Sequence, residues 1–376
     1  MERPSTNEPK MNILYDHQIF TSQKYGGISR YFYELLKEFD SMQEVQTTLS
    51  LVASNNHYIS DKKFVNYINF LPNHRLRGKQ LLFAFLNKKY SISKLKQQNF
   101  DLFHPTYYDP YFLPYLQKKP FVLTVHDMIY EKYNKTLQLN DSMSEHKRLL
   151  VDKATKIIAI SENTKKDLIE LFGTDDSKIK VIYHGSSMYP TEQATINVKI
   201  PNKYLLFVGV RGGYKNFDNF IRAIAPLLNQ DKELSIVCAG GGMFAKEEKE
   251  LFNQLKISKQ IFQKDLDDDS LAFLYQNALF FVFPSLYEGF GIPMLEAFAS
   301  KCPIACSNTS SFPEIAADAA IYFNPNDKDS IQQTVALLLH DTTLRANLIT
   351  KGIERLKYFS WEKTISETKK FYESVL

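Results

Sequence analysis

Two glutamates stand eight positions apart in the segment PSLYEGFGIPMLEAFAS, residues 284–300. Glu288 follows the apolar run ALFFVF, so it should lie in the loop beyond a buried strand. Glu296 follows Pro293, a residue that suits the first turn of a helix because its missing N–H is no loss there. Two carboxylates on either side of a turn that contains glycines can accept hydrogen bonds from hydroxyl groups.

The amides between the two glutamates extend this candidate site. The N–H groups of Phe290, Gly291 and Ile292 should be free to point into the crevice beyond the strand, where they could bind a phosphate. A sugar nucleotide, which carries an anion between two polyols, matches this set of groups. Two alternatives stay open: Glu296 could merely complement the helix dipole, or the two glutamates could be the acid and nucleophile of a glycosidase.

Features suited to phosphate recur at two other places, which argues against the glycosidase. Gly26 and Gly27 open a helix after the first strand, where a ligand can approach the backbone and the helix N-terminus attracts an anion. Arg211 and Lys215 bracket a glycine pair before another helix, so a diphosphate there would meet two cations and a helix N-terminus. An ordinary turn and surface charge are the alternatives. The first motif is not G-x-G-x-x-G, which disfavours a dinucleotide oxidoreductase, and the second is not a Walker A loop.

Histidines follow several predicted strands. His126, with Asp127 beside it, comes just past the apolar run FVLTV, so it could donate a hydrogen bond or move a proton in the ligand crevice. A loop histidine with a structural partner is the alternative. His104 has the same placement with less to support it, and His184 could be merely a linker residue.

Three aspartates and three cysteines are the candidates for metal ligands. The three successive aspartates at 267–269 could bind a metal ion, but they precede a helix pattern, where acids favour the helix N-terminus. We prefer that interpretation and expect no metal. The cysteines Cys238, Cys302 and Cys306 lie in or beside apolar runs, and no nearby histidine or second pair completes a zinc site, so reduced core thiols are expected.

Short apolar runs alternate with helix-patterned segments along the whole chain. Strands are expected at 12–15, 47–53, 101–104, 121–126, 156–161, 179–184, 201–210, 234–240, 261–263, 279–283, 303–307 and 320–323. This alternation predicts parallel sheets covered by helices on both faces, with ligands beyond the carboxyl ends of the strands. The pattern occurs twice around a polar linker near 187–202, and so predicts two α/β domains. Ser161 and Gly173 should bound one helix, and the last segment should form another with Trp361, Ile365, Tyr372 and Val375 on one stripe.

Composition limits the class of protein. The chain has 376 residues, 44% of them apolar, and a net charge of +4, which is too mild to indicate nucleic acid. No apolar run reaches the length of a membrane span and no signal peptide precedes the first strand, so we expect a cytoplasmic protein. Segment 73–96 carries seven cations and no acid among apolar residues. It could lie on an anionic membrane at the inner face of the plasma membrane, or be a solvated helix face.

Taken together, these segments resemble the retaining GT-B glycosyltransferases of family 4, also called glycosyltransferase group 1. EGFGIPMLE matches the E-x7-E element of that family. The other similar blocks are VFPSLYEGFGIPMLEAFASKCPIACSN, SSFPEIAADAAIYFNP, YLLFVGVRGGYKNF, IIAISENTKKDLIELFG, KIKVIYHGSS, LTVHD, YGGISRYFYELL and FSWEKT. The resemblance runs from about residue 11 to the end.

The resemblance implies two Rossmann-like domains that face a cleft. Residues 11–190 would form the acceptor-side domain, joined by a C-terminal helix at 360–376 that crosses back to it. Residues 200–358 would bind the nucleotide sugar. The implied reaction retains the configuration at the anomeric carbon and needs no cofactor and no obligatory metal.

The resemblance also implies roles for individual residues. Glu288 would hold hydroxyls of the donor sugar and Glu296 those of the ribose, while the amides of Phe290 and Gly291 would touch the sugar and the distal phosphate. Of the other candidate residues, Arg211 and Lys215 would stabilise the departing diphosphate, Gly26 and Gly27 would approach it from the first domain, and His126 would sit by the transferred sugar. Many relatives carry the basic pair in a longer turn than RGGYK.

The implied function is transfer of a hexose, with mannose from GDP-mannose favoured, from a GDP- or UDP-linked donor to a glycan or lipid-linked acceptor of polysaccharide or O-antigen synthesis. The pockets for base and sugar are expected near Phe262 to Leu266 and Ser307 to Ser311. A sugar-nucleotide epimerase, a non-catalytic protein that binds sugar nucleotides or glycans, and a membrane scaffold are the alternatives.

Overall fold

The computed structural model describes residues 11–60, 66–69, 78–137, 141–186, 200–264 and 268–376. In the N-terminal half the strands are β1 (Met11–Tyr15), β2 (Val45–Leu49), β3 (Leu102–His104), β4 (Val122–Val125), β5 (Lys156–Ala159) and β6 (Ile179–Val181). β2, β1 and β3 form one parallel sheet, and β4, β5 and β6 form another. A parallel bridge between Phe103 and Phe121 joins them, so the strand order across this half is 2-1-3-4-5-6.

The C-terminal half contains one parallel sheet. Its strands are β7 (Tyr204–Val208), β8 (Ser235–Ala239), β9 (Ile261–Lys264), β10 (Phe280–Phe283), β11 (Ile304–Ser307) and β12 (Ile321–Phe323), in the order 12-11-10-7-8-9. Every residue of β8 and β10 is buried, as expected for strands covered by helices on both faces. Every strand of the two halves overlaps a predicted strand. The prediction of an α/β fold with parallel sheets in both halves is confirmed.

Helices connect the strands in both halves. In the first half they are α1 (Gln18–Ser22), α2 (Gly27–Asp40), α3 (Lys79–Gln97), α4 (Ile129–Leu137), α5 (Asp141–Lys153) and α6 (Glu162–Phe172). In the second half they are α7 (Phe217–Gln230), α8 (Lys246–Gln254), α9 (Asp268–Asn277), α10 (Ile292–Ala299), α11 (Phe312–Ala316), α12 (Lys328–His340), α13 (Thr342–Leu356) and α14 (Trp361–Glu373). Most of the predicted linker at 187–202 lies outside the described residues.

The predicted limits of α6 are confirmed. The Ser161 hydroxyl accepts a hydrogen bond from the Thr164 amide at 3.0 Å, which caps the start of the helix. Gly173 ends it with a φ of +68°, a conformation that glycine adopts without strain. The helix therefore begins directly after β5, and its first turn faces the C-terminal half.

The last helix, α14, packs on the N-terminal half. Ile365 and Tyr372 are buried in the core formed by β1 and α2, and Trp361 and Val375 pack against that core. The Tyr372 hydroxyl lies 3.1 Å from the Tyr15 hydroxyl. The predicted return of the C-terminal helix is therefore confirmed, together with its apolar stripe.

Candidate active site

A cleft of about 600 Å³ lies between the loops that follow the strands of the two halves. Most of the predicted site residues line it. They are Gly26, Gly27, His126, Glu288, Phe290, Gly291, Ile292 and Glu296. The fold therefore brings together residues that are far apart in the sequence, at the sheet edge where ligands of parallel sheets bind.

Glu288, which lines the cleft, forms an ion pair with Lys215, which is not among the described residues that line it. The Lys215 Nζ lies 2.6 Å from the Glu288 Oε1, and both side chains are largely buried. Serine side chains fix the loop around Glu288: the Ser310 hydroxyl accepts from the Glu288 amide at 2.9 Å, and the Ser311 hydroxyl donates to the Glu288 carbonyl at 3.0 Å. These serines fall in the segment that was predicted to contact the base or sugar, and in the structure they position Glu288.

Glu296 lies in the second turn of α10. Its Oε2 accepts a hydrogen bond from the Tyr275 hydroxyl at 3.2 Å, and its Oε1 lies 3.6 Å from the Nη1 of Arg30. Arg30 belongs to α2, so this ion pair spans the cleft.

The start of α10 has the geometry that an anion site requires. Gly291 precedes the helix with a φ of +99°, which a residue with a side chain rarely adopts. Pro293 is in the first turn, as predicted. Within the described part of the chain, no hydrogen bond uses the amides of Phe290, Gly291 or Ile292 as donors. These amides are therefore available beside Glu288.

The start of α2 faces the cleft from the other side. Gly26 and Gly27 line the cleft, and α2 begins at Gly27, as predicted. A Cβ at Gly27 would lie 3.0 Å from the Ile292 Cδ1 of α10, so the two helix N-termini are close neighbours. Because both carry the positive end of a helix dipole, the space between them favours negative charge.

His126 lines the cleft as a neutral imidazole. Its ring stacks on that of His184, with centroids 6.3 Å apart. Burial holds the pKa of His126 well below its ordinary value, and the neighbouring basic groups His184, His104 and Lys147 add to the effect. The Nε2 of His126 is buried and has no hydrogen-bond partner in the described part of the chain. It can therefore exchange a hydrogen bond with a ligand, and at neutral pH it holds no extra proton to release.

The other two histidines have different surroundings. The Nδ1 of His104 bonds with the Tyr372 hydroxyl at 2.5 Å and its Nε2 with the Thr124 hydroxyl at 2.9 Å, so both ring nitrogens are used within the core. Burial lowers its pKa to about 3. His104 is therefore structural. His184 also lines the cleft, and burial lowers its pKa to about 3 as well.

The structure differs from the prediction at Arg211. Its Nε donates to the Glu248 carboxylate at 2.6 Å, and its Nη atoms donate to the carbonyls of Gly240 at 3.0 Å and Gly242 at 2.9 Å. The side chain is 4% exposed and is not among the described residues that line the cleft. Its donors are directed at the loop after β8, so the predicted contact of this guanidinium with a diphosphate has no support in the structure.

Among the described residues, no group of three or more His, Cys, Asp or Glu side chains could hold a metal ion. Asp268 and Asp269 begin α9, the position that favours acidic residues, and Asp267 lies outside the described residues. Cys238, Cys302 and Cys306 are buried and free, as predicted. Burial raises the pKa of each thiol, so none is a reactive thiolate.

Sequence reasoning missed several residues at the cleft. Arg30 falls within the first turns of α2, so the helical spacing after Gly27 could have indicated it. Tyr58 lines the cleft from the loop after β2, where no pattern marks it. Lys147 is fully buried; its Nζ donates to the Asp127 carbonyl and to Glu131, both at 2.9 Å, and so supports the turn that carries His126.

Two family models match the chain in tandem. Glycosyltransferase Family 4 matches residues 25–187, and Glycosyl transferases group 1 matches residues 190–355. The boundary between the two matches falls in the predicted linker.

Individual proteins give a similar result. The O-antigen chain mannosyltransferase B of Escherichia coli is 27% identical over 92% of this chain and 96% of that protein. The N-acetylgalactosamine-N,N'-diacetylbacillosaminyl-diphospho-undecaprenol 4-alpha-N-acetylgalactosaminyltransferase of Campylobacter jejuni is 25% identical over 59% of this chain and 61% of that protein. Anabaena HepE in complex with UDP and glucose has a TM-score of 0.73 at 14% identity, covering 97% of this chain and 100% of HepE. The likeness to HepE supports the fold alone.

The two family matches together span nearly the whole chain. Both glutamates of the E-x7-E element and the glycine pair at the start of α2 line one cleft between the two halves. The chain belongs to the glycosyltransferases of group 1 and family 4, and it has the GT-B fold.

Proposed function

We propose that the chain is a retaining hexosyltransferase of cell-surface polysaccharide synthesis, which moves a hexose from a nucleoside diphosphate to a glycan acceptor. The pairing of Lys215 with Glu288 beside two helix N-termini carries the proposal, because groups for an anion and groups for hydroxyls occur together in one cleft. Mannose is the hexose we propose, since the mannosyltransferase of Escherichia coli is similar over nearly its full length.

In the proposed reaction the bond between C1 of the hexose and the β-phosphate oxygen breaks, and the electron pair leaves with the diphosphate. The Lys215 ammonium and the N-termini of α2 and α10 would stabilise that charge. Because these groups already supply positive charge, we propose no obligatory metal. The acceptor hydroxyl oxygen bonds to C1 from the face that the diphosphate leaves, and its proton passes to the departing diphosphate oxygen. Attack from that face retains the configuration.

Two groups would orient the hexose. The Glu288 carboxylate can accept hydrogen bonds from its hydroxyls, and the unpartnered Nε2 of His126 can exchange another. The lowered pKa of His126 keeps the ring neutral, so we propose that it positions the sugar and does not act as an acid.

Variants of the ion pair test this assignment. Glu288→Ala and Lys215→Ala should each reduce transfer by about 100-fold or more, the scale for loss of one preorganised charge-stabilising group, and should keep the wild-type fold. Lys203→Ala is the matched control, because Lys203 pairs with Asp231 at the same 2.6 Å on the surface. Full activity of both cleft variants would refute the roles. The anomeric configuration of the product, read by NMR, tests retention.

The same assay separates the alternatives. An epimerase would convert the nucleotide sugar when no acceptor is present, and a binding protein would take up the donor without turnover. A thermal-shift screen of GDP, UDP, ADP and their sugars identifies the donor, because a ligand at a hundred times its dissociation constant adds roughly 2.7 kcal/mol to the free energy of unfolding.

The acceptor is proposed to be lipid-linked, because α3 presents an apolar face to the surface. The residues that it buries form the stripe Phe83, Asn87, Ser91 and Leu95. The opposite face carries Leu81, Leu82, Phe85, Leu86 and Tyr90, of which Leu81 is 78% and Phe85 is 55% exposed. The side-chain Oδ1 of Asn87 accepts from the backbone amides of Val52 and Ala53 at 2.8 and 2.9 Å, so polar contacts dock the helix with its apolar side outward.

Lysines surround this face, and the helix carries no acidic residue. Lys79 precedes its apolar residues along the helix, Lys88 and Lys89 come directly before Tyr90, and Lys94 and Lys96 follow. Apolar side chains bordered by cations fit an anionic bilayer surface, and we propose that α3 places the enzyme at the inner face of the plasma membrane. None of the helices in the described part of the chain has the length and hydrophobicity needed to cross a bilayer.

Vesicle sedimentation tests this attachment. Wild-type protein should bind vesicles that contain phosphatidylglycerol and should bind less to neutral vesicles or at high salt. Leu81→Ser with Phe85→Ser should abolish binding, whereas Leu337→Ser, a change at a 47% exposed leucine of α12, should leave it intact. Equal binding by the double variant would exclude α3 as the attachment site.

A further inference from the structure

Arg30 of α2 and Glu296 of α10 form an ion pair that crosses the cleft. The Nη1 of Arg30 lies 3.6 Å from the Oε1 of Glu296, and the two side chains are 14% and 11% exposed. The guanidinium also lies over the ring of Tyr58, 5.3 Å from its centroid, so it is supported from behind by the N-terminal half. Arg30, Tyr58 and Glu296 all line the cleft.

This ion pair occupies one oxygen of the carboxylate that the family resemblance assigns to the ribose. A ribose diol that bonds with Glu296 must therefore compete with Arg30. Separating two mostly buried charges is unfavourable unless each gains a contact in exchange, because the lost attraction no longer offsets their desolvation. Two hydroxyls can satisfy the carboxylate, but they offer the guanidinium no charge in return.

A diphosphate would offer that charge at the right place. Arg30 lies within the first turns of α2, just behind Gly26 and Gly27, where the helix N-terminus already favours an anion. A guanidinium also matches phosphate oxygens in a two-pronged geometry that an ammonium cannot reproduce. The anion and the diol of one nucleotide could therefore take over both members of the pair at once.

We propose that Arg30 is a donor-binding residue that exchanges partners. It holds Glu296 until a nucleoside diphosphate enters, then moves to the diphosphate while the ribose hydroxyls take Glu296. The inference rests on the donor site of the proposed function. It adds Arg30 to that site and predicts that the site selects nucleoside diphosphates over nucleosides. A nucleoside without phosphate meets the ion pair as a competitor, whereas a nucleoside diphosphate converts it into two contacts.

The exchange predicts effects of opposite sign in one variant. In Arg30→Gln the carboxylate loses its competitor, so the affinity for guanosine or uridine should rise by roughly tenfold. The affinity for the matching diphosphate should fall by roughly tenfold, because a charge-assisted contact is lost. A purely structural role of Arg30 would shift both affinities in the same direction.

Titration calorimetry with guanosine, GDP, uridine and UDP measures these affinities in the full chain. Arg30→Lys keeps the positive charge but lacks the two-pronged guanidinium. Its ratio of diphosphate affinity to nucleoside affinity should lie between those of wild type and Arg30→Gln. Lys37→Gln, on the same helix with a side chain that is 47% exposed, is the control and should match wild type. Should Arg30→Gln fail to fold, Tyr58→Leu, which removes the support behind the guanidinium, should shift the ratio in the same sense.

The outcomes are distinguishable. If wild type binds neither diphosphate, the proposed donor site is refuted and this inference with it. If wild type binds a diphosphate but the ratio of the two affinities is unchanged in the Arg30 variants, the donor site stands and the exchange is overturned. The absence of any gain in nucleoside binding up to its solubility also overturns it.

Discussion

Gly289 approaches the backbone of His126 so closely that a Cβ at Gly289 would lie 1.8 Å from the His126 carbonyl oxygen. Gly289 belongs to the loop after β10 in the C-terminal half, and His126 follows β4 in the N-terminal half. The Ser161 hydroxyl donates to the Gly289 carbonyl at 2.7 Å and fixes the same loop. The distance between Glu288 and His126, the two groups proposed to orient the hexose, therefore depends on the glycine between them.

Gly289→Ala should separate the two loops, since no rotamer relieves a clash with a backbone oxygen. A displacement of about 1 Å at a reacting centre can reduce the rate by roughly 100-fold, so we expect a loss of transfer on that scale. Initial rates at saturating donor measure it. Gly212→Ala is the control, because a Cβ there meets no atom within 4 Å. Wild-type rates in Gly289→Ala would show that the close approach is dispensable.

Arg211 offers a second prediction, because it binds its own loop. Removing its guanidinium in Arg211→Met leaves Glu248 and several carbonyls without their donor. Breaking such a largely buried pair costs about 3 kcal/mol of the free energy of unfolding, which urea denaturation measures. The loop it holds, Gly240 and Gly241, lines the cleft, so donor affinity should fall as well.

Glu248→Ala separates this role from direct contact with the diphosphate. If Arg211 acts through the loop, Glu248→Ala should reproduce both losses, and the double variant should be little worse than either single one. If Arg211 instead bound the diphosphate, Arg211→Met would lose donor affinity at unchanged stability, and Glu248→Ala would retain it.

The contrast between Arg211 and Glu296 shows what the sequence could predict. Glu296 follows a proline that starts a helix, so local spacing predicted its helical position to within one turn: it was expected near the end of the first turn of α10 and lies in the second. Strands such as Phe280–Phe283 could also be predicted from the local sequence, because an unbroken apolar run before a turn is typical of a buried parallel strand. The side chain of Arg211 depends on a loop 29 to 32 residues further along, which no spacing shows.

Side-chain contacts between the two halves could not be predicted from local sequence spacing either. The helical position of Arg30 follows from the glycines before it, but its partner lies in the other half of the chain. Likewise the buried apolar stripe expected of a helix fails at α3, where Asn87 and Ser91 face inward and the apolar face lies outward. Tertiary hydrogen bonds to the polar stripe decide that orientation.

Glu314 of α11 caps a helix of the opposite half, which leads to a third prediction. Its carboxylate accepts from the amides of Glu162 at 2.6 Å and Asn163 at 3.0 Å, the first two residues of α6. Glu314→Gln removes the charge that complements the helix dipole and should lower the free energy of unfolding by about 1 kcal/mol. Hydrogen exchange at amides 162 and 163 should become faster. Asp318→Asn, which affects a surface pair with Lys351, should change neither quantity, and unchanged exchange in Glu314→Gln would contradict the cap.

The buried histidines tie stability to pH. The pKa is about 3 for His104 and His184 and well below normal for His126, because burial disfavours the charged ring. In the unfolded chain each imidazole returns to about 6.5, so the folded values are the lower ones and unfolding takes up protons. This contribution to stability is fully present above about pH 6.5 and is lost as the pH falls toward 3.

The expected slope is about 1.4 kcal/mol per pH unit for each of His104 and His184 between roughly pH 6 and 4. Urea denaturation at half-unit steps of pH measures it. His104→Gln should reduce the slope by one histidine's share, because an amide does not titrate. An identical slope in His104→Gln and wild type would mean that His104 is already protonated in the folded protein, which its complete burial opposes.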